Sequence, residues 1–172
     1  IVSILNNTFK LLKQLSTLYY MAGYNLTVDL KNGHKNEKVV LTFLNKTVYP
    51  NDKFKLYKDP FKCVDFKNSE IIGELKSRYN KHDKYRETFF GYNKIEYLLS
   101  KKDPKKWVFY FLFTDGLFAW RYREGEYSVR KFDHHEKGII NQVYVNIKYL
   151  DKITHTINSG SWPTNDWEEY VN

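Results

Sequence analysis

The sequence predicts an α/β domain, a mixed β-sheet with helices packed against it. Three observations predict it. Apolar residues recur at helical spacing early in the chain, short apolar runs bounded by turn residues follow, and an eight-residue aromatic run stands in the second half. The resulting order of helix, strands, helix, strands fits one core. On order alone, an α+β arrangement fits as well.

The elements follow in chain order. Phe9, Leu12, Leu15, Leu18 and Tyr19 lie at helical spacing within Asn7–Gly23, which Asn7 or Thr8 can cap and Gly23 can end. Asn32–Lys38 is polar and holds Gly33, so it reads as a loop. Val39–Leu44 and Phe54–Tyr57 read as short strands, and Asp59–Pro60 breaks the chain. Lys62–Phe66 and Ile71–Leu75 flank the polar turn Lys67–Glu70, the signature of a hairpin with a four-residue loop. Asn80–Arg86 is charged and expected on the surface, and Tyr92–Ser100 carries Ile95, Leu98 and Leu99 as an amphipathic helix. Trp107–Thr114 reads as a buried central strand. Asp115–Gly116 then signals a hairpin turn into Leu117–Tyr122. Glu124–Gly125 turns the chain into Tyr127–Phe132, Asn141–Ile147 reads as a last strand, and Tyr149–Ile157 as a short helix.

Composition narrows the function classes. The 172 residues are expected to form one domain, with a core of about 8–122 and a C-terminal elaboration over 123–172. Fifteen Tyr, twelve Phe and four Trp exclude a disordered chain. No stretch approaches the roughly 20 apolar residues of a membrane span, and Ile1–Leu5 is too short for a signal-peptide core, so no membrane partner is expected. The single cysteine, Cys63, excludes an internal disulfide framework and fits a reducing, intracellular compartment, cytoplasm or nucleus. Richness in Lys, Asn, Tyr and Ile suggests an AT-rich genome, such as that of a virus, a phage or a low-GC microbe.

Charge points to a polyanionic partner. The net charge is +8, and Lys53–Lys106 alone holds 15 Lys+Arg against 8 Asp+Glu, an excess of 7. Such a balance fits nucleic acid, although a merely basic protein has it too.

One constellation within this stretch carries chemistry. Side chains alternate along a strand, so Glu74 and Lys76 share a face while Leu75 turns to the other. Asp65 lies across the hairpin turn, at the same edge. Two carboxylates with a backbone carbonyl suit a hard cation such as Mg²⁺, which polarises a phosphoryl oxygen and lowers the pKa of bound water. Lys76 then orients that water or stabilises charge developing on phosphate.

Cys63-Val64-Asp65-Phe66 followed by Gly73-Glu74-Leu75-Lys76-Ser77-Arg78 resembles the PD-(D/E)XK motif of the restriction-endonuclease-like nucleases, with Val64 where the motif often has Pro. The resemblance covers about Thr8 to Tyr122, and Asp65–Arg78 is its specific part. It implies a restriction-endonuclease-like core and a Mg²⁺- or Mn²⁺-dependent endonuclease acting most readily on DNA. It also implies metal ligands at Asp65, Glu74 and the Leu75 carbonyl, and Lys76 as the catalytic lysine. Relatives of this kind often cut as homodimers. Arg78, Lys84, Arg86, Asn93 and Lys94 are the expected nucleic-acid contacts, with Lys81 and Tyr85 behind them. A carboxylate from the first helix is common in the superfamily. Asn7–Gly23 has none, and Asp59 is the nearest substitute.

The bland readings differ. Glu74 and Lys76 can be a solvated pair on a strand, and the basic loop an ordinary surface loop. Asp133, His134, His135 and Glu136 read as a polar turn, because adjacent strand residues point to opposite faces. Cys63 reads as a small core residue, and Trp120, Tyr122 and Tyr127 as sheet packing rather than base-stacking platforms. The competing functions are a non-catalytic DNA-binding or assembly module on the same fold, and a basic aromatic protein that binds another protein.

Overall fold

The computed structural model describes residues 26–57, 63–101, 105–134 and 138–154. The predicted helix Asn7–Gly23 lies outside them. The chain divides into two units, residues 1–36 and 37–172. The described part of the first is helical.

Helix α1 spans Leu26–Phe43 and runs into a π-helical turn, Leu44–Val48. Both the predicted loop Asn32–Lys38 and the predicted strand Val39–Leu44 are therefore helical. Gly33 costs a helix about 1 kcal/mol, which does not outweigh an apolar stripe. Val39, Val40 and Leu44 supply that stripe, all buried in one cluster. Their spacing is helical, and six residues of it read equally well as a strand.

Among the described residues, nine strands follow in two sheets. Strands β1 (Lys55–Leu56), β2 (Phe66–Lys67), β3 (Ile71–Ser77), β5 (Lys106–Phe113), β6 (Gly116–Arg121) and β9 (Asp151–Thr154) form a mixed sheet in the order β1-β2-β3-β5-β6-β9. Only β3 and β5 pair in parallel, Ile71 with Lys106 through Ser77 with Leu112. The connection between them carries β4 (Glu87–Gly91) and helix α2 (Asn93–Ser100). Strands β4, β8 (Gly138–Asn146) and β7 (Tyr127–His134) form a second, antiparallel sheet in the order β4-β8-β7. The structure is thus α/β with a mixed sheet, as predicted. Among the described residues no helix is long and apolar enough to cross a membrane.

Alternation in β5 explains how the layers stack. Val108, Tyr110 and Leu112 face the cluster containing Val39, Val40 and Leu44. Trp107, Phe109, Phe111 and Phe113 face the opposite cluster, with Ile95 and Leu98 of α2 and Phe90, Val143 and Val145 of the second sheet. A strand covered on both faces must be apolar throughout, which is why Trp107–Phe113 reads as an unbroken run. The predicted strand and the Asp115–Gly116 turn both hold. Gly116 is required there: its φ is +147°, and a Cβ would lie 2.4 Å from the Thr154 carbonyl oxygen.

One prediction at the C-terminal end needs correction. The expected helix Tyr149–Ile157 is instead a 3₁₀ turn at Ile147–Tyr149, then strand β9, as far as Thr154. Pairing with β6 supplies the reason, since an open sheet edge gains a backbone ladder there. Strand β4 had no counterpart among the predicted elements, and its partner β8 lies more than 45 residues downstream. A pairing so distant leaves no local signal.

Candidate active site

The predicted hairpin forms, and local bonds fix it. Asn68 Oδ1 accepts from the N–H of Glu70 (3.1 Å) and of Ile71 (2.7 Å), so the side chain holds the turn. Its amide donates to the Asp52 carbonyl at 3.0 Å. Phe66 pairs with Gly73, and the Phe66 ring lies across that glycine. A Cβ at position 73 would sit 2.2 Å from Phe66 Cε2, so the close approach requires glycine. One residue beyond this pair, Asp65 stands opposite Glu74. The Asp65 N–H donates to the Gly73 carbonyl at 3.0 Å.

Strand β3 then sorts its residues by face. Ile71 and Leu75 join the cluster beneath α1, and Ile72 joins the one beneath α2. Alternation puts Glu74 and Lys76 with Ile72, on the α2 face. Glu74 is 1% exposed. The ammoniums of Lys76 and Lys94 approach its Oε1 at 2.7 and 2.8 Å. Both contacts are ion pairs whose angles fall outside hydrogen-bond geometry; distance and charge make Oε1 a paired oxygen. Its Oε2 is buried and has no donor among the described residues. Lys94 comes from the second residue of α2 and also donates to the Cys63 carbonyl at 3.1 Å.

Asp65 completes the group. Its Oδ2 accepts from the Leu75 N–H at 2.6 Å. In a strand the N–H and C=O of one residue point to the same side, so the Leu75 carbonyl also faces Asp65. Burial and the neighbouring Glu74 push the Asp65 carboxyl up to about 7, against the Leu75 N–H and Lys76, which pull it down. Glu37, on α1, adds a smaller upward push. This carboxylate belongs to a segment that the sequence reading treated as a loop. The helical spacing of Glu37 with Val40 and Leu44 was the signal that could have found it.

The other expected contacts divide. Lys84 and Arg86 are exposed in the loop after β3, and Lys84 lies 5.3 Å over the Tyr85 ring. Asn93 opens α2. Arg78 is committed to the protein. Its Nε donates to Thr88 Oγ1 at 3.3 Å, Nη1 to the Ser77 carbonyl at 3.0 Å and Nη2 to the Phe89 carbonyl. Its guanidinium also lies 5.1 Å from the Phe89 ring centre, and burial lowers its pKa to about 10. Arg78 therefore ties β3 to β4. Trp120 is buried and donates to Glu126 at 3.0 Å, with Tyr122 and Tyr127 packed on its ring. Sheet packing accounts for Trp120 and Tyr127, and Tyr122 is half-buried beside them.

A second polar group escaped the sequence reading. His82, Asp83 and Asp115 place one ligating atom each within 4.8 Å of the others. His82 Nδ1 is 2.6 Å from Asp115 Oδ2, and its ring stacks on Phe118 at 4.5 Å. The His82 backbone N–H also donates to Asp115 Oδ1 at 2.8 Å. These bonds pin the loop to the β5–β6 turn. The partners are 33 residues apart, which hides them from local patterns.

No protein-family model matches the chain, and no curated protein matches it.

Proposed function

We propose that the protein is a metal-dependent nuclease of PD-(D/E)XK type, on a restriction-endonuclease-like core, that hydrolyses phosphodiester bonds, DNA first among its substrates. One observation carries this reading: Asp65, Glu74 and Lys76 converge at one hairpin, with a buried Glu74 oxygen that no described donor satisfies. Buried carboxylate oxygens are seldom left unpaired without a chemical reason. The chain order α1, β1–β3, β4, α2, β5, with β5 parallel to β3, is compatible with a mixed α/β core of that kind.

The donor set fits a hard divalent cation, Mg²⁺ or Mn²⁺: two carboxylates and a carbonyl, all oxygen. Asp65, Glu74 and the Leu75 carbonyl would hold it. Such an ion, when bound, polarises a phosphoryl oxygen and makes a nucleophile of water. The chain's own residues do the rest. Glu74 fixes the Lys76 ammonium beside the carboxylates, where it orients the attacking water and meets charge developing on phosphate. Lys94 ties the helix start to the same carboxylate. Lys84 and Arg86, exposed in the following loop, take the phosphate backbone.

The test is cleavage of supercoiled plasmid and single-stranded DNA with Mg²⁺, Mn²⁺ or EDTA, using wild type, Asp65→Ala and Lys76→Ala. Metal-dependent cutting lost in both variants is the expected result. Cutting that survives in the variants overturns the reading. A second reading, a non-catalytic nucleic-acid-binding module, has one observation in its favour. Lys76 and Lys94 together compensate Glu74 without any cation. Salt-sensitive DNA binding with no metal-dependent cutting would establish it.

A further inference from the structure

A second basic site lies at the other end of the mixed sheet. A groove of about 420 Å³ opens between the end of α2, the start of β5 and the end of β6. Five cations line it, Lys101, Lys105, Lys106, Arg121 and Arg123, and no carboxylate among the described residues does. Its floor is apolar, made by Leu98, Trp107 and Tyr122. A hollow of about 160 Å³ adjoins it, sharing Arg121 and Arg123 and adding Lys148 together with the carboxylates Glu126 and Asp151. Lys106 is aligned with Ile71, five residues before Lys76 on β3. At about 3.3 Å per residue, the groove lies roughly 16 Å along the strands from Lys76.

Much of this charge is only loosely held. Lys106 pairs with Glu70 at 3.8 Å, Arg121 with Asp151 at 2.9 Å and Arg123 with Glu126 at 3.3 Å. The three cations are 72%, 58% and 67% exposed. Exposed pairs of this kind contribute well under 1 kcal/mol, so an arriving phosphate can displace the carboxylates. Lys105 donates to the Asn68 carbonyl at 3.0 Å, which keeps one ammonium fixed at the rim. Lys101 lies 5.0 Å over the Tyr97 ring. Five cations for an anion, above a floor of aromatic rings for a flat ring, describe one ligand chemistry.

We propose that this groove binds a nucleotide unit, its phosphate on the rim of Lys101, Lys105 and Arg123 and its base against the floor at Tyr122 and Trp107. Placing that unit within a nucleic-acid strand rests on the nuclease reading. The groove then anchors the strand away from the cutting site.

The test is fluorescence anisotropy of a labelled oligothymidylate in EDTA across a salt series, where no cutting intervenes. Wild type is compared with Lys101→Gln/Arg123→Gln, with Lys105→Gln and with Lys76→Ala, each checked by thermal melting. The double variant is expected to bind about tenfold more weakly, with a salt slope smaller by about 1.5, two phosphate contacts' worth. Lys105→Gln is expected to weaken binding in the same direction. Thymidine monophosphate is expected to displace the oligonucleotide where inorganic phosphate does not. Unchanged affinity and slope in both groove variants overturn the proposal, even if wild type cuts DNA. Equal displacement by phosphate overturns the role of the base. Mononucleotide binding without strand binding assigns the groove to a free nucleotide and overturns the anchor. Weakened binding in the groove variants, beside a wild type that cuts nothing, keeps the groove and sinks the nuclease reading.

Discussion

The two faces of β3 are built by seven consecutive residues and differ in kind. Beneath α1, Ile71 and Leu75 pack with Phe66, Val108 and Tyr110 in a cluster without a charge. Beneath α2, Ile72 is followed by Glu74 and Lys76, and a second lysine descends from the helix to meet them. Both faces are covered, yet on β3 itself only one carries charged side chains. Charge is therefore confined to one side of a central strand, and the other side is apolar packing. Such a division suits a site whose charged groups must be held in a fixed geometry.

Three substitutions sharpen that contrast. Lys76→Ala, on the charged face, is expected to lower phosphodiester cleavage by about a thousandfold, the scale of removing one group that meets charge in a transition state. It also takes one of two cations from the buried Glu74, so a loss of about 2 kcal/mol in unfolding is expected beside the loss of cutting. A variant that melts early and still cuts would reverse the division. Leu75→Ala, one residue away on the apolar face, is expected to cost about 3 kcal/mol in denaturant unfolding, because Leu75 is buried and a cavity remains. Unfolding unchanged within about 0.5 kcal/mol would mean that this face is not the structural one. Lys94→Met is intermediate. It removes one of two cations from a buried carboxylate, so a loss of about 2 kcal/mol is expected, less than for a carboxylate left with no partner. Equal stability would show that Lys76 alone satisfies Glu74.

The contrast also explains what could be read in advance. Asp65, Glu74 and Lys76 were legible because a short hairpin brings them together, and its turn and alternation are local properties. The aromatic strand β5 and the β5–β6 hairpin were legible for the same reason. Glu37 was not, because Val39–Leu44 presents too few turns to separate helix from strand. Lys94 was placed on nucleic acid rather than on Glu74, since a salt bridge 20 residues apart follows from the crossover between β3 and β5. The basic groove joins Lys101, Lys106 and Arg121 from three elements, and their convergence is a tertiary fact. Arg78 shows the reverse case: a basic residue beside the motif whose guanidinium bonds fasten two strands, a tertiary fact no local pattern carries.

The finest test of the charged face is its response to pH. Asp65 titrates near 7 in the folded chain, against an ordinary value of 3.8. Between those values the folded state binds a proton that the unfolded state has lost. Stability therefore falls as pH rises through this window, by up to about 1.4 kcal/mol per pH unit, and the contribution is gone above the folded value. Asp65→Asn mimics the protonated form and lacks that slope. The stability gap between variant and wild type, measured by urea unfolding without metal, should widen in favour of the variant by about 1 kcal/mol from pH 6 to pH 7. A gap constant with pH would mean that Asp65 is already ionised and that Glu74 does not press on it. Adding Mg²⁺ at pH 7 should reverse the order, stabilising wild type and leaving Asp65→Asn unmoved, because only an ionised Asp65 offers the cation two oxygens.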